Sequence, residues 1–508
     1  MLKRILSVIM LCVLVIGANA QSDVVYNIGA IANAVSGDFA PYFISSNNHG
    51  ILYQPYSVLT NLGLNKATDY TKRFSLGFGA EVYGGYAESM KYGLYDYKQD
   101  RVRMRKVSSS SLWIQQLYAE AKYRSVFLTL GQKEGGSKIL NDKLSSGDMT
   151  YSANSRPMPG VRAGFWTPQD IPFTNGWVQI SGELAYYKQT DSSWLENHYN
   201  YFNEFITTDL WYNYKYCYFH TKPSQPFSLT IGMQAASQFG GVYEQYIKGK
   251  LFKTVDMSPD LSTFVRMLIP GSGGTNAGDQ SYYEGNHIGS WDVMGRYRMN
   301  DGTILKAYYQ SPWEDGSGIG KMNGFDGLYG FEYKSADENA AVTGLVVEYL
   351  DLMNQGGPIH WEPADLVNPA VTGNATGGDN YYNNYTYCGY QYYGMTVGSP
   401  VLRSPFYNTD GFLPLTDTRL RSIHLAFEGN LKRNVTYRAK FGATKSWGTV
   451  FVPISKPRKN TSAMIECEYK SESVKGMKIK GQVAMDKGTL YGDNFGALLT
   501  VSYSGLLK

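Results

Sequence analysis

The chain has 508 residues, among them 43 Tyr, 22 Phe, 9 Trp, 55 Gly and 4 Cys, with a formal net charge of +4. With 43% of residues hydrophobic, and glycine above the usual ~7% but without a collagen period, a fibre, a disordered tail and a disulfide-stapled mini-protein are excluded. The length leaves several soluble domains or one large closed barrel, and the wealth of Tyr and Gly points to strands.

At the N-terminus, Lys3 and Arg4 precede an apolar run from Ile5 to Ile16 and a small-residue cleavage site, Ala18-Asn19-Ala20. Residues 1–20 therefore read as a secretory signal peptide, since the run is too short for the ~20 residues of a transmembrane helix. Cys12 lies inside the run and residue 21 is Gln, which argues against a lipid-modified terminus. Losing Lys3 and Arg4 leaves 47 − 2 = 45 basic against 43 acidic residues, a balance that argues against nucleic acid as a partner. Cys217, Cys388 and Cys467 are odd in number and widely spaced, so they offer neither a disulfide framework nor a CxxC metal pair.

Residues 21–72 read as N-terminal strands, Val25 to Asn33 and Ile51 to Val58, with a candidate periplasmic or lumenal plug. Residues 73–508 read as the barrel itself, with sixteen further strands that bring the expected total to eighteen. The strands alternate with period two. Trp113, Leu117, Ala119 and Ala121 alternate with Gln116, Tyr118, Glu120 and Lys122; Val178, Ile180, Gly182, Leu184 and Tyr186 alternate with Gln179, Ser181, Glu183, Ala185 and Tyr187. Near the C-terminus Ile423, Leu425 and Phe427 share a face, as do Val435, Tyr437, Ala439, Phe441 and Ala443, opposite Thr436, Arg438, Lys440, Gly442 and Thr444. The final segment, with Leu499, Val501 and Tyr503 on one face, is placed to close against the first strand.

Connections alternate in length. Short turns fall near Arg124, at Lys222 to Pro226, at Asn300-Asp301-Gly302, at Ser335 to Ala340, at Asn430 to Asn434 and at Ser473 to Lys475. Between them lie long polar stretches at roughly 87–111, 134–158, 190–208, 240–288, 312–324, 352–417 and 446–461. The expected fold class is all-β: a transmembrane antiparallel β-barrel of eighteen strands with long extracellular loops and short periplasmic turns, in the outer membrane of a Gram-negative bacterium. A soluble propeller or sandwich also alternates, but it does not account for sustained long and short connections behind a signal peptide.

Several stretches resemble the Wzi family of outer-membrane capsule assembly proteins, surface lectins for capsular polysaccharide. They include Leu130-Gly131-Gln132-Lys133, Ser145-Ser146-Gly147-Asp148-Met149, Asn154-Ser155-Arg156-Pro157-Met158-Pro159, residues 235–241 and Gly285-Asn286-His287-Ile288-Gly289-Ser290. The likeness continues in Trp313-Glu314-Asp315-Gly316-Ser317-Gly318, Val347-Glu348-Tyr349, Asn380-Tyr381-Tyr382-Asn383-Asn384 and Tyr392-Tyr393-Gly394, in order along the chain. The resemblance implies an eighteen-stranded barrel, no enzyme activity, no cofactor and a role in retaining exported capsule at the cell surface. Well-known members carry a helical bundle before the barrel; here Val25 reads as strand almost at once, so a plug must come from residues 34–72 or from folded-in loops. In this the chain looks more like the branch of the family found in Bacteroidetes-type bacteria.

Candidate glycan contacts come from two loops. Tyr381, Tyr382, Asn383, Asn384, Tyr385, Tyr392 and Tyr393 belong to a run of tyrosines and amides, the residue types that pack on sugar C–H faces and pair with sugar hydroxyls. Trp313, Glu314 and Asp315 open a second loop, where neighbouring carboxylates on an extended chain face opposite ways and suit a rim role better than paired acid and base catalysis. Arg101, Arg103, Arg105 and Lys106 are equally suited to an acidic capsule, to lipopolysaccharide phosphates or to plain solvation. Glu120, Lys122, Glu183, Arg438 and Lys440 read as charges of a polar lumen. The histidines form neither HExxH nor a zinc spacing, Gly271 to Gly278 lacks the Lys-Ser/Thr of a phosphate loop, and His287 with Ser290 lacks a third partner. The reading is a non-enzymatic barrel with no cofactor and no metal. Its expected partners are capsular or other surface polysaccharide, outer-membrane lipids and lipopolysaccharide, and the barrel assembly machinery during biogenesis. A porin-like diffusion channel for sugars or small solutes is the competing reading, and the oligomeric state stays open.

Overall fold

The computed structural model describes residues 24–268, 284–357, 360–361, 375–376 and 378–507. The expected signal peptide, residues 1–20, and the run Gly271 to Gly278 lie outside the described residues.

Eighteen antiparallel staves close on themselves. They are β1 (Val24–Ser36), β2 (Tyr56–Lys66), β3 (Phe74–Ala87), β4 (Leu112–Tyr123), β5 (Val126–Gln132), β6 (Gly160–Phe165), β7 (Val178–Lys188), β8 (Trp211–Thr221) and β9 (Phe227–Phe239), followed by β10 (Asn286–Arg298), β11 (Ile304–Trp313), β12 (Gly327–Lys334), β13 (Gly344–Asp351), β14 (Leu420–Lys432), β15 (Val435–Gly448), β16 (Pro453–Lys470), β17 (Met477–Gly488) and β18 (Asn494–Leu507). A two-residue stub, Gln169–Asp170, also pairs with β7. Each stave bonds to its neighbours in the chain, and β18 returns to β1 from Val24↔Leu507 to Ser36↔Phe495. Closure leaves no open edge, which hydrocarbon would penalise. Among the described residues the wall starts at Val24: β1 and β2 are staves, and the segment between them turns inward.

Period-two patterning places the two faces as expected. In β5, Val126, Leu128 and Leu130 point outward and are exposed, whereas Phe127 and Thr129 point into the lumen and are buried. In β15, Phe441 faces outward at 43% exposure, and Arg438 and Lys440 line a lumenal cavity. The outward apolar band is what a lipid environment covers.

One strand departs from the expected alternation. Glu81 pairs with Gln116 and Val82 with Ile114, so Gln115 is an extra residue, a β-bulge that reverses the facing of everything before it. Trp113, expected on the face of Leu117, instead turns inward and stacks on Tyr83 with ring centroids 5.3 Å apart. Glycines on the wall leave room for rings on the next stave. A Cβ on Gly79 would meet the Tyr118 ring at 2.4 Å, and one on Gly330 would meet the Tyr308 ring at 2.1 Å.

The rim that carries the chain's described ends has mostly tight turns, such as Arg124-Ser125 between β4 and β5 and residues 299–303 between β10 and β11. The opposite rim carries most of the long connections and adds hairpins of its own, Met90–Asp96 with Arg101–Val107 and Val242–Ile247 with Lys250–Asp256. Residues 446–461, expected as a long loop, are mainly strand, because β15 reaches Gly448 and β16 resumes at Pro453.

Three long-rim segments fold back into the barrel and fill it: residues 37–55, 133–159 and 378–418. From the first, the short helix Tyr42–Ser45 lays Tyr42 against Tyr491 with ring centroids 4.6 Å apart, and its Tyr42 N–H donates to Asp486 Oδ2 at 2.8 Å. The second is tied to one side of the wall, at β11 and β13. Glu348 accepts from Ser145 Oγ at 2.6 Å and Ser146 N at 2.7 Å, while Gln310 Nε2 donates to Asp148 Oδ2 at 2.9 Å. The third is bonded to the second through Tyr390 OH to Thr150 O at 2.6 Å and Asn154 Nδ2 to Thr396 O at 2.9 Å. The buried polar groups named here are tolerated because each of these bonds supplies a partner across the plug or on the wall.

Candidate functional site

The run of tyrosines that the sequence places on an exposed loop is, for the most part, the interior of the plug. Tyr381, Tyr382, Tyr387, Tyr390 and Tyr392 are all buried. Tyr381 OH accepts from Asn323 Nδ2 at 2.9 Å, Tyr382 OH accepts from Ser399 N at 2.8 Å and donates to Met149 O, and Tyr392 OH shares a proton with Thr190 Oγ1 at 2.7 Å. These rings are enclosed by the barrel wall and their hydroxyls are used, so they have no face left for a ligand from outside. Trp313 is likewise buried, lying over Gly289 on the adjacent stave, where a Cβ would meet its ring at 2.1 Å.

Five of the other expected residues converge. Glu314, Asp315, Asn383, Asn384 and Tyr385 line one cleft of about 670 Å³ at the long-loop rim, together with Phe205, Asp379, Phe412, Phe451 and Val452. Tyr385 is 62% exposed and its ring lies 6.4 Å from that of Phe451, itself exposed. Asn383 is held by Leu415, whose N–H donates to its Oδ1 at 2.9 Å and whose carbonyl accepts from its Nδ2 at 2.9 Å. Glu314 Oε1 accepts from the Tyr382 backbone N–H at 2.6 Å, which ties the cleft floor to the plug.

Asp315 opens the one-turn helix Gly316–Ile319 by accepting from Ser317 N at 2.7 Å and Ser317 Oγ at 2.6 Å. The same hydroxyl lies 3.4 Å from Asp379 Oδ2. Burial, reinforced by the Asp315 charge, pushes the Asp379 carboxyl up to about 7. Arg458, on the cleft margin, is tied to Asp417 at 2.5 Å. The cleft therefore offers aromatic faces, amides and carboxylate acceptors side by side, a surface suited to C–H stacking and hydroxyl recognition. Asp379 and Phe412 lie 33 positions apart on the connection before β14, and Phe451 lies on the connection after β15, so these three meet only in the fold.

Tyr393 belongs elsewhere. Its hydroxyl donates to Thr190 O at 2.9 Å and its ring lies 4.6 Å from the Arg156 guanidinium, in a second groove with Trp113 and Trp194. Arg105 is also accounted for: its guanidinium donates to Glu196 O at 3.2 Å and to Tyr199 O at 3.3 Å, at the C-terminal end of the helix Ser192–His198. Arg101, Arg103 and Lys106 remain exposed on the hairpin.

Four of the five expected lumenal charges are tied down by the wall or the plug. Glu120 accepts from Lys133 at 2.7 Å, Glu183 from Lys138 at 3.1 Å and Glu466 from Arg438 at 2.9 Å, while Lys122 Nζ donates to Lys72 O at 2.6 Å. On the turn side of the plug a vestibule of about 510 Å³ is bordered by Glu81, Glu134 and Asp142 and by Arg438, Lys440 and Lys480, and is roofed by residues 43–52. His287 bonds to Ser237 at 2.8 Å, and Ser290 bonds to Thr150 and Asp292 at 3.1 and 2.8 Å, so these two are not partners of each other. Among the described residues no group of three His, Cys, Asp or Glu is placed to hold a metal ion.

No family model matches the chain, and no curated protein matches it. Among solved structures it is similar to Wzi of Escherichia coli, described as an outer membrane protein involved in group 1 capsule assembly and a carbohydrate-binding β-barrel, with 12% identity, 96% of this chain and 85% of that chain covered, and a TM-score of 0.55. It also aligns with OccAB2 of Acinetobacter baumannii (9% identity, 96% and 98% covered, TM-score 0.46) and with OccK7 of Pseudomonas aeruginosa (11%, 96% and 99%, 0.44). At these identities the likeness to Wzi shows the fold alone: the chain is built as a closed eighteen-stranded barrel of the outer-membrane type.

Proposed function

We propose that the protein is exported by its N-terminal signal, inserts in the outer membrane with the long-loop rim outward, and binds capsular or related surface polysaccharide there without catalysis. The observation that carries this reading is the rim cleft of about 670 Å³, where exposed Tyr385 and Phe451 stand beside Asn383, Asn384 and the carboxylates of Glu314 and Asp315. The filled lumen is in keeping with it, because a plug bonded to several staves makes a scaffold for the rim rather than a passage. Each copy would hold a chain weakly, and many copies would retain it by multivalency. The resemblance of the sequence to the Wzi family, and the carbohydrate binding printed for the solved Wzi, fit this function.

A diffusion channel is the second reading, favoured by the charged vestibule on the turn side. The experiment that separates them compares cell-bound with shed capsule in a deletion strain, alongside conductance of the purified barrel in planar bilayers. Capsule shed without the protein and a closed barrel are the expected results. Unchanged capsule retention together with a large steady conductance would replace the binding reading with the channel.

A further inference from the structure

Apart from the rim cleft, a narrower groove opens between residues 108–113, the helix Ser192–His198 and Tyr393, with about 90 Å³ of room for water-sized molecules. Its depth is set by Arg156. The guanidinium carbon lies over two rings, 4.6 Å from the centroid of Trp113 and 4.6 Å from that of Tyr393. Contact with both rings restricts the guanidinium, which lines the groove. The hydrogen bond it makes is from Nε to Gly50 O at 3.3 Å, and no carboxylate pairs with it among the described residues. Beyond burial, the groups that act on its charge are the phenols of Tyr393, Tyr53 and Tyr392.

The rest of the lining has the same bias. It includes the exposed Ser108, Ser110, Ser193 and Asn197 and the half-buried Trp194, and it contains no acidic residue. His198 adds no charge, because burial lowers it to about 3 and its Nδ1 faces Trp194 O at 2.6 Å. Trp194 stacks on that neutral ring at 3.8 Å, which holds the indole in place. A half-buried, unpaired cation costs desolvation energy unless an anion joins it. The groove's volume, several times what one ordered water requires, leaves room for a carboxylate beside the guanidinium.

We propose that this groove binds the carboxylate of an acidic sugar residue, with Arg156 as its bidentate partner, Trp113 and Trp194 as aromatic walls, and the serines and Asn197 as hydroxyl contacts. The proposal rests on the reading of the protein as a polysaccharide binder and adds that the polymer carries uronate-type units. It places a second point of attachment beside the rim cleft.

Tryptophan fluorescence of the purified full-length barrel in detergent, at constant ionic strength, tests it with sodium glucuronate, glucose and sodium phosphate as probes. Glucuronate is expected to quench saturably in the millimolar range, with glucose and phosphate each about tenfold weaker or more, and Arg156→Gln is expected to lose at least about tenfold in glucuronate affinity, a change of about 1.4 kcal/mol. Equal binding of glucose and glucuronate, equal binding of phosphate and glucuronate, or an Arg156→Gln protein that titrates as the wild type overturns the proposal. Should Arg156→Gln not fold, as judged by heat-modifiable gel mobility, Arg156→Lys decides, because a point charge cannot replace the planar fork: undiminished glucuronate affinity in that variant sinks the site. Purified capsule separates the two claims. Binding of capsule that is equal in wild type and Arg156→Gln removes this site and leaves the surface-binding function standing, whereas a wild-type barrel that binds no capsule removes that function.

Discussion

Ser145 and Glu348, 203 positions apart in the chain, meet inside the barrel, where the Ser145 hydroxyl donates to Glu348 Oε1 at 2.6 Å. The same carboxylate accepts from Ser146 N at 2.7 Å and from Tyr308 OH at 2.6 Å. One wall side chain thus fastens the turn of the plug that lies between β11 and β13.

Removing that acceptor is expected to loosen the plug. Glu348→Ala leaves two buried hydroxyls, of Ser145 and Tyr308, and the Ser146 backbone N–H without their acceptor, at about 1–3 kcal/mol each. Planar-bilayer recordings should show a closed wild-type barrel and frequent opening events in the variant. Equal conductance in the two would mean that the segment 133–159 is held by its other bonds alone.

The outward face of β15 supplies a second expectation. Phe441→Arg puts a charge on the lipid face, which costs about 2–4 kcal/mol near mid-depth, whereas Lys440→Ala alters only the lumenal side. The yield of folded, heat-modifiable protein in outer-membrane fractions should fall sharply for Phe441→Arg and little for Lys440→Ala. Similar yields would contradict the facing assigned to the strand.

Two tyrosines from the same run should behave oppositely. Tyr382→Phe removes a hydroxyl that bonds Ser399 N and Met149 O and should lower stability by about 1 kcal/mol, without a direct role in ligand binding. Tyr385→Ala, at the exposed cleft, should leave stability unchanged and weaken polysaccharide binding by the about 0.5–1.5 kcal/mol of an aromatic contact. Thermal unfolding and capsule-binding titrations of both variants give the check, and loss of binding in Tyr382→Phe alone would relocate the site.

Asp191 predicts a pH dependence. The carboxyl is buried, and burial raises it from 3.8 to about 7, although the Tyr393 N–H bond works against this. The folded protein therefore keeps this proton between roughly pH 4 and 7, where the unfolded chain has released it, so the contribution of Asp191 to stability declines as pH rises through that window. Asp191→Asn should be more stable to unfolding than the wild type at pH 8, by on the order of 2 kcal/mol, and show no such gain at pH 3.5. A gain of equal size at both values would assign the effect to something other than ionisation.

Much of the wall was legible residue by residue, because the face a side chain takes in a strand depends only on its immediate neighbours. Phe441 against Lys440, and Leu128 against Phe127 and Thr129, follow from period two, and the closing of Leu499 and Tyr503 on the first strand follows from an even count of staves. Trp113 escaped that logic because a single extra residue, Gln115, reverses the alternation, and a bulge has no periodic signature.

By itself, then, the sequence determined an all-β barrel of eighteen staves, its two faces and most of its short turns, since these rest on local patterning and tight-turn chemistry. Only the tertiary structure decided which aromatic residues meet a ligand and which meet the plug. Tyr381 and Tyr385 stand four positions apart in one run, yet one is enclosed and the other exposed, because segments from positions 37–55, 133–159 and 378–418 compete for the same lumen. Burial there is a property of the closed wall around them, and that wall is assembled from strands spread over the whole chain.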